Sequence, residues 1–305
     1  MRYLPETLDS ALAQSFSDFE IVIVNDGSTD NIEEWFLGIQ DSRVRLISQA
    51  NQGKSVAVNK AIAQTSGEYI AFLDADDLWE PTKLEKQVHS LQANPRAGLV
   101  YTWTALADET GRATGRIVAS HVEGKVWKTL ILKNFLASGS TPMVRRQCFD
   151  RVGLFSPELP PAEDWDMWLR IAARYEFAVI KQPLIRYRKH DSNTSSRWQQ
   201  MQTSSSLVLE RAFQNAPVDF SDVRDQAYIS LYRYLGWLAI QKNAPQQALH
   251  FWNRAQAISQ TLISWDAIRL RLTIFLLNRL GQDNYHHLRQ LVYRLRRKTA
   301  TKSPR

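Results

Sequence analysis

Gly67-Glu68-Tyr69-Ile70-Ala71-Phe72-Leu73-Asp74-Ala75-Asp76-Asp77 is a short apolar run that stops in three carboxylates, and how it is read decides the fold. Tyr69–Leu73 has the unbroken apolar character of a strand covered on both faces. A divalent metal and a diphosphate need hard oxygen ligands beside them. Carboxylates on either side of a small residue, at a strand end, can supply them, and Ala75 lets the backbone approach closely. The same residues also read as a polar turn that caps the strand and leads to a helix starting at Pro81.

Working outward, strands and helices alternate. Leu4, Leu8, Leu12 and Phe16 recur every four residues and predict an amphipathic helix with Pro5 near its start. Glu20–Val24 is a β-branched run, and Asn25–Asp30 is turn chemistry. Arg43–Gln49 reads as a strand, Lys54–Gln64 as a helix, Pro81–Ala93 as a helix and Gly98–Ala107 as a longer strand. The alternation predicts an α/β fold with an open, mostly parallel sheet flanked by helices. Asp26 leaves one strand, and Asp74 and Asp76 leave another. Ligands of such sheets bind outside the carboxyl ends of the strands. Ser192–Ser206 is rich in Ser, Thr and Gln and reads as a linker, after which the pattern is helical. The boundary expected near 195–205 divides residues 1–198 from an all-α region at 199–305.

The 305 residues are 44% hydrophobic and 23% charged, ordinary for a globular protein. The single cysteine, Cys148, cannot form an intrachain disulfide and fits a reducing, cytoplasmic setting. No signal-peptide pattern is seen, and apolar runs such as Leu272–Leu277 are too short to span a bilayer. The formal charge of +7 is a property of the end of the chain, because residues 284–305 hold seven Lys/Arg and no Asp/Glu. The balanced remainder argues against nucleic acid as a partner. No G-x-x-x-x-G-K-S/T, G-x-S-x-G or zinc-type Cys/His spacing is found.

Three blocks, Val24-Asn25-Asp26-Gly27-Ser28-Thr29-Asp30, Asn51-Gln52-Gly53-Lys54 with Ala57 and Asn59, and Gly67–Asp77, succeed one another at separations that resemble the family-2 glycosyltransferases of the GT-A fold. The resemblance covers roughly residues 1–195. It implies transfer of a sugar from a nucleotide-diphospho-sugar to a glycan or lipid-linked acceptor, with inversion and a divalent metal (Mn²⁺ or Mg²⁺), in the setting of cell-surface polysaccharide synthesis. Asp26 would contact base or ribose. Asp74 and Asp76 would bind ribose, diphosphate and metal, with Asp76 the more direct ligand, and Lys54 and Asn59 would line the nucleotide pocket. Lys54 also reads as a solvated lysine at a helix start. Val58 stands where many relatives carry a basic residue.

Ala162-Glu163-Asp164-Trp165-Asp166-Met167-Trp168-Leu169-Arg170 resembles the family's acceptor block. Asp164 would then be the general base, with Glu163, Trp165 and Trp168 at the acceptor. Asp164 also reads as a helix-start carboxylate, and each tryptophan as core. Pro183–Asp191 resembles the block closing the catalytic domain. Arg188 would offset the charge of the departing nucleotide, and His190 would touch metal or phosphate; a surface role for His190 is the other reading.

Relatives begin with a hydrophobic strand and a Pro-x-Tyr-Asn-like turn, and Met1–Glu6 matches the segment after that turn. A strand beside Glu20–Val24 is therefore expected to be missing, through a start codon placed too far downstream or a true truncation. Farther on, Tyr232, Leu235, Gly236, Ala239, Ala248, Trp252 and Ala255 fall at the spacing of one tetratricopeptide-like hairpin, or of a generic helical bundle. Tyr285, Leu288, Leu291, Val292 and Leu295, with Arg289, Arg294, Arg296 and Arg297, form a basic amphipathic stripe. It is suited either to an anionic membrane surface, making the protein peripheral at the inner face, or to water. A catalytically inactive relative acting as a binding or scaffold protein is the alternative from another functional class.

Overall fold

The computed structural model of the chain describes residues 1–190, 198–216, 221–259, 267–277 and 279. These divide into two compact units, Met1–Val223 and Arg224–Arg305. In the first unit, α1 (Leu4–Leu12) has Pro5 in its first turn and buries Thr7, Leu8 and Ala11. β1 (Ile21–Asp26) pairs in parallel with β2 (Val44–Gln49), separated in sequence by the short α2 (Ile32–Phe36). α3 (Lys54–Gln64) packs on β1. β3 (Tyr69–Ala71) is shorter than its apolar run. Phe72 leaves the ladder and meets Phe155 and Trp168 edge-on, at ring-centroid distances of 5.5 and 5.8 Å.

β4 (Leu78–Trp79) leads into α4 (Lys83–Ala93), succeeded by β5 (Ala97–Ala107), β6 (Ala113–Val118), α5 (Trp127–Leu132), β7 (Met143–Arg145) and α6 (Arg146–Val152). α7 (Glu163–Ala172) then precedes β8 (Glu176–Arg188). The larger sheet runs β3-β7-β5-β8-β4, with β6 hydrogen-bonded to β5. The expected parallel character lies in β1–β2 and β5–β8, while β7, β4 and β6 add antiparallel pairs. β8 carries Pro183 in mid-strand. Proline has no N–H for a ladder, and the register of β5 and β8 shifts on both sides of the Trp103–Pro183 pair. The core beneath joins Ala11, Trp79, Leu84, Val88, Leu91, Val100, Met143 and Ile185. Among the described residues β1 pairs with β2 alone and β3 with β7 alone, so the strands form two sheets.

The Ser/Thr/Gln-rich stretch is not a linker from Trp198 onward. α8 (Trp198–Gln214) is a helix that buries Met201, Ser204, Ser205, Val208 and Leu209. Ser204 Oγ donates to Pro160 O at 2.7 Å, and Arg211 Nη1 donates to Ser156 Oγ at 3.1 Å. Helix α8 therefore belongs to the first unit, and the units divide at Val223 rather than at residue 198.

In the second unit, α9 (Ser221–Gln241) and α10 (Pro245–Ile258) form a helical hairpin closed by a turn with Asn243 at φ 57°. Small residues bring the helices together: Ala239 and Ala248 are fully buried. A Cβ on Gly236 would meet Leu270 Cδ2 at 2.9 Å. Residues 267–277 are helical as well. The amphipathic stripe from Tyr285 to Leu295 lies outside the described residues. No helix among those described is long and apolar enough to cross a membrane.

Candidate functional site

The ends of β1 and β3, the start of α3, the start of α7 and the end of β8 carry most of the residues singled out in the sequence. Asp26 closes β1. Its carboxylate accepts hydrogen bonds from Gln49 Nε2 (2.8 Å), Gln52 N (2.9 Å) and Gly53 N (2.8 Å). Burial opposes its ionisation, but these three donors outweigh burial and hold the carboxyl below its ordinary range. The loop they organise requires glycine at two places. Gly27 (φ 73°) would press a Cβ to 2.7 Å from Asn51 N, and Gly53 (φ 89°) stands before the first turn of α3.

Lys54, the first residue of α3, donates to Asp74 Oδ1 at 2.6 Å. Burial works against its charge, but Asp74 first, then Glu163 and Asp164, push its pKa up. One ammonium thus feels both the carboxylate leaving β3 and the pair at the start of α7. Asp164 Oδ1 accepts the Trp165 N–H at 2.6 Å, inside the helix and not as its cap. Burial and then the Glu163 charge raise the Asp164 carboxyl to about 7, against the pull of Lys54. Glu163 is 8% exposed, and its Oε2 has no hydrogen-bond partner among the described residues. A buried carboxyl lifted to about 7 fits a base that must both take up and release a proton.

Asp76 Oδ2 lies 2.8 Å from His190 Nε2, and the His190 ring stacks on Tyr3 with centroids 5.0 Å apart. A carboxylate oxygen beside an imidazole nitrogen is a donor set that could hold a divalent cation. Among the described residues no three His, Cys, Asp or Glu side chains converge on one such point. Asp74 is held by Lys54 and is not part of the Asp76–His190 pair.

Three sequence expectations change here. Arg188 is 1% exposed. Its Nε donates to Asp76 O (2.8 Å), Nη1 to Glu109 O (2.9 Å) and Nη2 to Glu6 Oε2 (2.7 Å), with the guanidinium over the Tyr3 ring. It fastens the carboxylate turn to β8 and α1. Asn59 exchanges two hydrogen bonds with the Phe155 backbone, Nδ2 to O at 2.8 Å and Phe155 N to Oδ1 at 2.9 Å. It therefore holds the approach to α7 rather than lining an open pocket. Trp168 is 1% exposed within the Phe72–Phe155 cluster and cannot stack on a sugar. Trp165 is half-buried and anchored by Nε1 to Leu130 O at 3.0 Å.

One contributor lies outside the residues singled out in the sequence. Asp77, fully buried, accepts from Ser138 Oγ (2.8 Å) and Ser140 Oγ (2.6 Å) on Oδ2 and from Arg188 N (3.1 Å) on Oδ1. Ser140 Oγ in turn accepts the Asp74 N–H at 3.0 Å. The Ser138–Thr141 loop is thereby pinned against the carboxylate turn, and a Cβ on Gly139 would stand 3.5 Å from Asp74 Oδ2. Burial, and next the Asp74 charge, raise the Asp77 carboxyl to about 7. Its one signal in the sequence is a third acid directly after Asp76.

The family described as Glycosyl transferase family 2 matches residues 2–153. An uncharacterized glycosyltransferase of Methanocaldococcus jannaschii is 30% identical over 220 residues, 70% of this chain and 76% of that protein. One from Rickettsia felis is 32% identical over 200 residues, and there the match spans only 33% of the relative's length. Among solved structures, the mannosyltransferase PcManGT of Pyrobaculum calidifontis, in complex with GDP-Man and Mn²⁺, superposes with a TM-score of 0.59 at 19% identity, covering 94% of this chain and 79% of that one. TarS of S. aureus in complex with UDP-GlcNAc gives 0.58 at 18% identity, covering 92% and 89%. Both likenesses concern the fold.

Proposed function

Since this chain belongs to glycosyl transferase family 2, we propose that it is an inverting, metal-dependent enzyme that moves a sugar from a nucleotide-diphospho-sugar to an acceptor hydroxyl, with Asp164 as the base. The observation that carries this reading is the juxtaposition around Lys54: a carboxyl raised to about 7 at the start of α7, and the Asp74 carboxylate at the exit of β3. Asp164 takes the proton of the acceptor hydroxyl as that oxygen forms its bond to the anomeric carbon and the bond to the diphosphate breaks. Glu163, whose Oε2 has no hydrogen-bond partner among the described residues, keeps the Asp164 carboxyl basic and would offer that oxygen to an acceptor hydroxyl. Lys54 holds Asp74 in place, and its positive charge would offset charge building on the leaving diphosphate.

Asp76 and His190 would hold the Mn²⁺ or Mg²⁺, which when bound neutralises charge developing on the leaving diphosphate. The likeness to proteins holding GDP-Man with Mn²⁺ and UDP-GlcNAc supports a donor of that class. The acceptor is a glycan or lipid-linked saccharide of cell-surface polysaccharide synthesis, reached from the cytoplasmic side at an anionic membrane. Replacing Asp164 by Asn keeps the Trp165 hydrogen bond and removes the base. Donor binding by calorimetry is expected to be unchanged, and transfer to fall by about 10²–10⁴-fold. Turnover near that of the wild type would return Asp164 to a purely structural role.

A further inference from the structure

The second unit carries a charge imbalance that catalysis does not use. Residues 224–279 hold seven Lys/Arg against two Asp/Glu, whereas residues 1–223 hold 24 against 28. Within the second unit, helical residues 267–277 are apolar on two faces. Ala267, Leu270, Ile274 and Leu277 are buried, with Leu270 seated on Gly236. Ile268, Leu272 and Phe275 recur on the other face and are 43%, 54% and 54% exposed. A water-facing helix normally turns polar residues outward, and a contiguous exposed apolar patch marks a contact surface.

Two further features say what covers this face. The exposed apolar residues border a cavity of about 490 Å³ whose other wall is Trp252 and Ala255 of α10, with Arg233 and Arg271 among its lining. The charges interleaved with the stripe are all positive: residues 267–279 contain Arg269, Arg271 and Arg279 and no Asp or Glu. An apolar stripe with a cationic rim matches the boundary between lipid headgroups and acyl chains, where aliphatic side chains enter and guanidiniums stay with phosphate. A protein partner would need an acidic rim around an apolar centre, whereas an anionic bilayer offers both everywhere.

We infer that this face, formed by Ile268, Leu272 and Phe275 with Arg269 and Arg271 and backed by the Trp252 cavity, docks on an anionic phospholipid bilayer and takes an acyl chain into the cavity. This rests on the proposal that the enzyme works at a membrane, but it is independent of the basic stripe at residues 285–297. It also concerns binding alone, so its failure leaves the transfer chemistry untouched.

The test uses the full chain and vesicles of phosphatidylglycerol with phosphatidylcholine, or of phosphatidylcholine alone. Co-sedimentation is expected with the anionic vesicles and not with the neutral ones. Phe275→Ser, at an exposed position, is expected to lower vesicle partition more than about tenfold. Arg269→Gln and Arg271→Gln are each expected to lower it about fivefold, and high salt should reproduce their effect. Transfer to a soluble acceptor should be unchanged in all three. Wild-type partition in both the Phe275 and the arginine variants would overturn the inference. So would a wild-type dimer, measured by light scattering, that Phe275→Ser converts to monomer without altering vesicle binding, because a second copy would then cover this face.

Discussion

The acid at position 164 faces opposite demands from activity and stability. Its carboxyl rises from an ordinary 3.8 to about 7 because burial and Glu163 disfavour its charge. A base must be ionised to act, so kcat/KM is expected to climb as pH rises through about 7 and to level off above it. The stability sign is reversed. Between about 4 and 7 the folded chain binds a proton at Asp164 that the unfolded chain has released, so this group's contribution to stability falls as pH rises. Asp164→Asn should therefore raise the Tm relative to wild type at pH 8 and not at pH 4, while transfer is lost. An equal Tm difference at both pH values would deny the raised pKa. Asp77 calls for a different experiment, because it touches the site through Ser138, Ser140 and Arg188. Asp77→Asn is expected to weaken Mn²⁺-dependent nucleotide binding about 10- to 100-fold, the scale of lost support behind a ligand. Calorimetric affinity equal to wild type in a folded variant would make Asp77 an ordinary buried acid. Individual roles were the least legible level in the sequence. Asp74, Asp76 and Asp164 could be picked out because their motifs are local. That Arg188 and Asn59 face inward depends on Glu6, Glu109 and Phe155, which no spacing rule connects to them.

Elements were more legible where periodicity is local. α3 runs Lys54–Gln64 as its pattern predicts, and α4 and β5 deviate at their starts by a residue or two. The errors have common causes. β3 stops at Ala71 because Phe72 joins an aromatic cluster with Phe155 and Trp168 instead of continuing a ladder. The two-residue β4 exists through its partners Arg186 and Ile185 on β8, more than a hundred residues away. α8 was hidden by composition: Ser204 and Ser205 look like linker residues but are buried, and the apolar contacts fall to Met201, Val208 and Leu209. The helical role of α8 predicts that Leu209→Ala destabilises the first unit by about 2–5 kcal/mol in urea unfolding monitored by near-ultraviolet dichroism. A flexible linker would tolerate the change with no shift of the midpoint.

At the scale of the whole molecule, residues far apart in the chain share one unit: Asp26, Lys54, Asp74, Asp76, Asp164 and His190 all fall in Met1–Val223. The order of their motifs was visible in the sequence, because strand exits in an α/β sheet bring successive turns to one edge. The division of the strands into β1–β2 and a six-stranded sheet was not, because pairing between distant strands leaves no local trace. The second unit supplies none of the residues proposed for the donor, and this limits where a donor can act. A ligand that binds the folded state alone stabilises what it contacts, by about 2.7 kcal/mol at a hundredfold excess over Kd. With Mn²⁺ and a nucleotide-diphospho-sugar bound, slowed amide exchange is expected in the Asp26–Lys54 loop, the Asp74–Asp77 turn, the Ser138–Thr141 loop and the first turn of α7. The buried amides of α9 and α10 should exchange at the same rate with and without ligand. Anionic vesicles should produce the converse pattern, slowing exchange in residues 267–277 and leaving the Asp74–Asp77 turn unaffected. Protection by the donor spreading evenly through α9 and α10 would show that the two units respond as one, and the assignment of donor and membrane to separate units would then be wrong.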